Sequence, residues 1–446
     1  MQFFDTREHD LDTIQAAFDR RLAASEQQAG AEEVVRAILA DVRARGDAAV
    51  LDGVRRFDAP DAAAANLPLA LRVSVEAIAA ATERVQATEL WPVLTEAAAR
   101  ITRFHEQHKR TSWMDVSQPG ETLGQIIRPL ERVGVYVPGG QAAYPSSVLM
   151  VALPARVAGV PHVFLATPPG RAGRVPDAVL AASHIAGVET VYAMGGAFAV
   201  GAFAYGTETV ARVDKIVGPG NLYVNTAKRL VFGTVGIDLL AGPSEVLALA
   251  DDSANPAGVA AEILAQTEHG PDNSAILVTP SAALARNVLA QIERQLADLP
   301  RAQTVRANLA SAGFVVQTRD LAEAAHVASL YAAEHLHLLV RDPWTLLPLI
   351  RNAGAILIGE HTSAPIGDYL AGPSHTLPTG GSARFSSPLN GDDFVKKTSL
   401  LAFNQSAAAR LAPLAATFAD FEGLEAHARA ARRSRAGEPS GNVQPS

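Results

Sequence analysis

A chain of 446 residues, 48% of them hydrophobic, can bury a large core and should split into two or more domains, so size is no obstacle to an enzyme. The formal charge of −8, the pI near 5.9 and the lack of any basic block beyond Arg432-Arg433-Ser434-Arg435 exclude nucleic acid as the main partner and favour a small ligand. The longest apolar run, 148–155, is too short to span a bilayer and the N-terminus lacks an export-signal pattern, so no membrane partner is expected and cytoplasmic residence is the default.

In chain order, residues 1–30 read as polar and irregular, and helical patterns follow from Glu32 toward Phe57 and over about 74–107. From Arg132 short β-rich runs alternate with helical ones: 133–137, 162–166, 190–193 and 213–217 read as strands, the βαβ rhythm of a parallel sheet. The rhythm resumes after Gly236 with strands at 246–250, 275–278, 314–317, 337–340 and 355–358. The fold class is therefore α/β, with two doubly wound Rossmann-like domains on parallel sheets. The expected layout is an N-terminal extension 1–24, a domain built from 25–130 and 241–385, an inserted cofactor domain 131–240, a helical tail 386–433 and a disordered end 434–446. Both helical extensions are expected to serve dimerisation, since a tail of that size docks on its own body or on a partner subunit.

The absence of cysteine constrains the chemistry. It removes thiolate metal sites, and it removes capture of an aldehyde by a Cys nucleophile, so any aldehyde oxidation must use activated water. A metal would be held by His, carboxylate and amide side chains, a set that suits zinc or another borderline divalent ion. One such place is Ala265-Gln266-Thr267-Glu268-His269-Gly270-Pro271-Asp272, where an apolar helical run stops at Gly270-Pro271 with Gln266 and His269 on one face. Three Gly-rich turns, Val137-Pro138-Gly139-Gly140, Met194-Gly195-Gly196-Ala197 and Val217-Gly218-Pro219-Gly220-Asn221, follow strands of the first sheet, where doubly wound folds bind ligands. None is a complete G-x-G-x-x-G, so a nucleotide would be held by an atypical contact set. Glu334-His335 stands where a helix gives way to a strand, and its two side chains can address two faces of one substrate. Asp368 is an oxygen ligand in a loop, with His375 close by in sequence, and Glu422 and His427 lie on the polar tail.

Together these segments resemble histidinol dehydrogenase over about residues 30–430. The likeness is carried by Gly134-Val135-Tyr136-Val137-Pro138-Gly139-Gly140, Val213 to Asn221, Ala241-Gly242-Pro243-Ser244-Glu245-Val246, Gln266 to Asp272, Glu334-His335-Leu336, Gly367-Asp368-Tyr369 and Glu422-Gly423-Leu424-Glu425-Ala426-His427. The resemblance implies a zinc- and NAD-dependent oxidation of L-histidinol to L-histidine through the aldehyde, the last steps of histidine biosynthesis, with one zinc per subunit and two NAD used in succession. It implies that Gln266, His269, Asp368 and His427 hold zinc, which itself binds the substrate, and that His427 reaches into the other subunit of a homodimer with shared sites. It assigns Ser244, His335 and Glu422 to histidinol and Tyr136 and Asn221 to NAD, and the chemistry of the adjacent pair makes Glu334 and His335 the expected acid–base catalysts.

Two departures stand out. Phe198 replaces the Gln of the family motif G-G-A-Q-A, which removes one cofactor hydrogen bond and places a ring where it can stack on NAD or narrow its groove, and Ala333 replaces the Pro that often precedes Glu-His. The rival readings are a related zinc/NAD dehydrogenase of the same fold acting on another amino or sulfonated alcohol, and a non-catalytic metal-binding dimer. Glu422 and His427 speak against the first and the intact Glu334-His335 pair against the second.

Overall fold

The computed structural model describes residues 1–19, 26–139, 143–268, 270 and 272–436. The chain divides into two compact units, Met1–Lys109 with Leu130–Phe394, and Arg110–Pro129 with Val395 onward. The first unit carries two wholly parallel sheets. The smaller has the strand order Thr190–Ala193, His162–Thr167, Arg132–Tyr136, Lys215–Val217, Gly236–Ile237. Alternation along its strands divides the side chains between two covered faces. Val133, Val135 and Val137 pack with the helices Val75–Gln86, Leu90–Glu106, Pro145–Ala158 and Asp177–Ile185. Tyr136, Phe164, Ala166 and Tyr192 pack with Glu26–Arg45, Asp47–Gly53, Gly196–Tyr205 and Leu222–Val231. The helices between residues 26 and 106 thus cover this sheet rather than the larger one with which sequence order grouped them. An apolar stripe shows that a helix is buried, not which sheet buries it.

The larger sheet runs Gln2–Asp5, Gly313–Gln317, Ser274–Thr279, Glu245–Ala250, His335–Leu339, Ala355–Ile358. The smaller sheet starts in its middle and grows outward both ways, and so does the larger one from Glu245–Ala250, its edge strand Gln2–Asp5 apart. The reversal falls between Arg132–Tyr136 and Lys215–Val217 in one, and between Glu245–Ala250 and His335–Leu339 in the other. In the larger sheet Leu336 and Leu338 face the helix Leu321–Tyr331, while His335, His337 and Leu339 alternate to the opposite face, where Leu339 packs with the helix Pro256–Thr267.

The first residues correct the expectation of an irregular N-terminal extension. Gln2–Asp5 is an edge strand in register with Gly313–Gln317, and Leu11–Asp19 is a helix. Phe4 is buried and Phe3 exposed, a period of two too short to stand out in the sequence, and Phe18 meets Tyr331 edge-on at 5.0 Å.

The second unit also departs from the helical tail expected for 386–433. Val395–Phe403 pairs antiparallel with Glu121–Pro129, which pairs with Trp113–Asp115, and the helices Gln405–Phe421 and Glu425–Ala436 follow. The last helix therefore runs past residue 433, and residues 437–446, expected to be disordered, lie outside the described residues. Among the described residues no helix is long and apolar enough to cross a membrane.

Candidate active site

The larger sheet places its reactive groups at the N-terminal edge of its strands. Its C-terminal crevice at the point of reversal is filled by Asp251, whose carboxylate accepts N–H bonds from Arg341 at 3.0 Å and Ser253 at 2.9 Å. At the opposite edge Glu245 and His335 open neighbouring strands, with His335 in register with Val246. The helix Pro256–Thr267 runs back to that edge and ends with Gln266 and Thr267, so its negative dipole end lies where a cation would be welcome. Glu262 and Gln266, one turn apart, share a face of it.

His335 is buried between two carboxylates. Its Nε2 lies 3.1 Å from Asp368 Oδ1 in a hydrogen bond, and its Nδ1 lies 3.6 Å from Glu334 Oε2. Burial opposes the charged ring, but the Asp368 bond and the Glu334 charge outweigh it and hold the imidazolium up to about 10. Glu334 is itself fixed, its Oε2 accepting the Glu245 N–H at 3.0 Å. On the same strand face His337 lies 3.6 Å from Glu262, whose Oε2 accepts the Ala364 N–H that begins the segment leading to Asp368. Burial raises the Glu262 carboxyl and depresses His337 to about 4. Two carboxylates, Glu334 and Asp368, thus flank one imidazolium, and a third, Glu262, faces the neighbouring His337.

His375, second-rank in the sequence, has a positional role here: its Nδ1 donates to the Asp368 carbonyl at 3.0 Å while its Nε2 meets Ser147 Oγ at 3.1 Å. Ser244 is held by its N–H on Asn273 Oδ1 at 2.9 Å, and the Asn273 amide donates to the Gln266 carbonyl at 3.2 Å, which ties the segment before Glu245 to the end of the helix Pro256–Thr267. Glu262, Asn273 and Ser147 were not marked by the sequence. Glu262 and Asn273 act through backbone groups and Ser147 through the His375 ring, all separated from them in the chain, and no spacing signals that.

Four zinc ligands were expected. Gln266 is buried and Asp368 part-exposed in the first unit, His427 stands exposed on the second unit together with Glu422, and His269 lies outside the described residues. Among the described residues no three His, Asp or Glu side chains converge as a metal cluster.

The smaller sheet uses the C-terminal edge. Its point of reversal opens between Tyr136-Val137-Pro138-Gly139 and Gly218-Pro219-Gly220-Asn221. Gly218 has φ +115° and a side chain there would strike the Tyr136 carbonyl, so only glycine closes this turn. Asn221 caps the helix Leu222–Val231, its Oδ1 accepting the N–H groups of Tyr223 and Val224 at 3.1 Å. At the Gly195-Gly196 turn the backbone donors are taken by protein groups: Gly195 N–H goes to Asp58 Oδ2 at 2.9 Å and Gly196 N–H to the Tyr136 hydroxyl at 3.2 Å. Burial pushes the Asp58 carboxyl up to about 6 and the Tyr136 phenol up to about 12. The Phe198 ring packs on Gly53 and lies 6.2 Å from the Phe57 ring.

The sequence model described as histidinol dehydrogenase matches residues 21–435. The chain is 48% identical over 431 residues to the histidinol dehydrogenase of Geobacter sulfurreducens, covering 96% of this chain and 98% of that one. It is 50% identical over 400 residues to that of Syntrophotalea carbinolica, covering 90% and 91%. Its fold is similar to the crystal structure of histidinol dehydrogenase from Elizabethkingia anophelis, with a TM-score of 0.90 at 33% identity over 97% of this chain and 98% of that one. With two parallel sheets, a carboxylate-flanked histidine at one edge and a glycine-lined crevice at another, the chain belongs to the histidinol dehydrogenase family, NAD-dependent oxidoreductases that convert histidinol to histidine in histidine biosynthesis.

Proposed function

We propose that Glu334 and His335 divide the proton transfers of a two-stage oxidation of L-histidinol, in a cytoplasmic homodimer that binds one zinc per subunit. The observation that carries this reading is the fixed pairing of His335 with Asp368 and Glu334 at the edge where Gln266 ends its helix. Two carboxylates around one imidazolium leave surplus negative charge, and a carboxylate, an amide and two imidazoles form a donor set that suits zinc. Gln266, His269, Asp368 and the partner copy's equivalent of His427 would hold it. Bound there, zinc would supply a positive centre that orients the substrate imidazole and amine.

His335, in its neutral form, would take the alcohol proton on a ring nitrogen as the carbinol carbon gives up its hydride to NAD. Glu334, anchored by the Glu245 N–H, would take a proton from the water that adds to the aldehyde while His335 returns its proton to the carbonyl oxygen, and a second hydride would pass from the hydrate to a second NAD as His335 takes a hydroxyl proton, leaving the acid. Ser244 and Glu422 would hold histidinol. Tyr136 and Asn221 would border NAD, and the ring of Phe198, packed on Gly53, would narrow the groove rather than stack in it.

Homodimerisation is supported by the second unit. Phe421 is 93% exposed, Phe418 73% and Leu401 64%, and Trp113 and Met114 are exposed on the same three-stranded sheet or beside it. So much large apolar surface on a small unit calls for a cover. A second copy is the occupant that also uses Glu422 and His427, which stand exposed on the same unit. The metal is tested by dialysis against a chelator: NAD reduction by L-histidinol should cease and return with zinc alone, and activity that survives metal removal, verified by elemental analysis, would contradict the zinc assignment.

A further inference from the structure

The cofactor turn and the substrate segment are joined by side chains that the reaction itself does not use. Lys228, on the helix Leu222–Val231, has a fully buried side chain, and so has Asp238, at 0% and 1% exposure. The Lys228 ammonium has three N–H donors and three partners: the Asp238 carboxylate, the Gly218 carbonyl at 3.0 Å and the Leu239 carbonyl at 2.7 Å. Asp238 completes the ring, its other oxygen accepting the Gly218 N–H at 2.7 Å. One turn back on the same helix, Asn225 donates its amide to the carbonyls of Gly220 at 3.1 Å and Ala241. The turn 218–220 is thereby laced at both ends to 238–241. From there the chain passes through Gly242, whose N–H meets Thr379 Oγ1 at 2.5 Å, to Ser244 and to Glu245, whose N–H holds Glu334.

A buried ion pair is a poor stabiliser compared with apolar side chains of the same size, because desolvation offsets most of the attraction. What an apolar pair could not do is fix three backbone groups of two separate segments in one geometry. We propose that Lys228, with Asp238 and Asn225, is a positioning residue that sets the NAD turn in register with the substrate segment, so that the hydride acceptor meets the carbinol carbon at the right distance. Errors of about an ångström at this junction are enough to slow hydride transfer on the order of a hundredfold.

The inference rests on the reading of the 218–221 turn as the NAD site, and the two can be told apart. In the zinc-loaded full-length enzyme, Asn221→Ser keeps a helix cap but removes the amide; an unchanged KM for NAD in that variant would count against the cofactor site itself. The double variant Lys228→Met with Asp238→Asn leaves no buried charge. It should raise the KM for NAD about tenfold and lower kcat, while the KM for histidinol stays within about twofold of wild type. Asn225→Ala, at a less buried position, should shift the KM for NAD in the same direction, and it decides the question if the double variant does not fold. A purely structural role would lower the melting temperature and leave the KM for NAD at its wild-type value in both variants, and that result would overturn the proposal.

Discussion

Replacing Glu334 by Gln probes the division of labour at the site. Gln has the shape of Glu and can still accept the Glu245 N–H that Glu334 now takes at 3.0 Å, so the loss of fold stability should be only about 1 kcal/mol, the difference between a charged and a neutral acceptor. His335 keeps its 3.1 Å bond to Asp368. What disappears is a carboxylate 3.6 Å from His335 Nδ1 and, with it, the base that activates water. Loss of a general base costs about 10²–10⁴ in rate, or roughly 2.7–5.4 kcal/mol of transition-state stabilisation. The first oxidation needs no water, so its rate should fall by less than about tenfold. Stopped-flow absorbance of NADH separates the stages: the variant should release one equivalent of NADH quickly and the second slowly, with histidinaldehyde accumulating between them. Equal slowing of both phases, or a slow first phase alone, would refute the assignment.

Shared sites predict complementation. His335→Ala and His427→Ala should each be inactive, yet equal amounts mixed and allowed to exchange subunits should recover about a quarter of wild-type activity, since random pairing makes half the dimers hybrid and each hybrid has one intact site; no recovery after demonstrated exchange would refute sharing. Acid stability is predicted to depend on Glu323, whose carboxyl is held down to about 2 by the Arg319 guanidinium, against a burial penalty, with help from the Thr6 hydroxyl. A lowered pKa contributes stability that is full above about 4.5, the ordinary value, and is lost as pH falls toward 2. Arg319 is largely exposed, so roughly 1 kcal/mol is expected rather than the full shift. Urea titrations should therefore show Glu323→Gln less stable than wild type at pH 7, with the gap closing below pH 4.5, and a gap constant from pH 7 to pH 3 would contradict this.

The alternation of β-rich and helical runs was enough to read two parallel sheets, because strands covered on both faces must be apolar throughout and the helices between them amphipathic. What the sequence concealed has common causes. Gln2–Asp5 is an edge strand with one buried aromatic, and Val395–Phe403 shows little burial in a single subunit, so neither leaves the pattern that burial imposes. The assignment of helices 26–106 to a sheet is a matter of three-dimensional packing that no periodicity records. At the site, Glu334, His335 and Asp368 were legible as chemistry-bearing side chains at element boundaries, and the structure brings them together. Asn273, Glu262, Ser147 and Lys228 were not, since their task is to hold groups of other segments, backbone for three of them and the His375 ring for Ser147, and their residue types are unremarkable where they stand. Lys228 in particular reads as the exposed end of an amphipathic helix until Asp238 is placed opposite it.

The central claim is a four-electron oxidation completed at one zinc-dependent site. The most direct measurement is the yield of NADH and of histidine from a limiting, known amount of L-histidinol with excess NAD and the zinc-loaded enzyme. Two NADH and one histidine per histidinol are predicted, with no free aldehyde trapped by semicarbazide. A single NADH per histidinol with the aldehyde as end product, or turnover only with a different amino alcohol, would contradict the account.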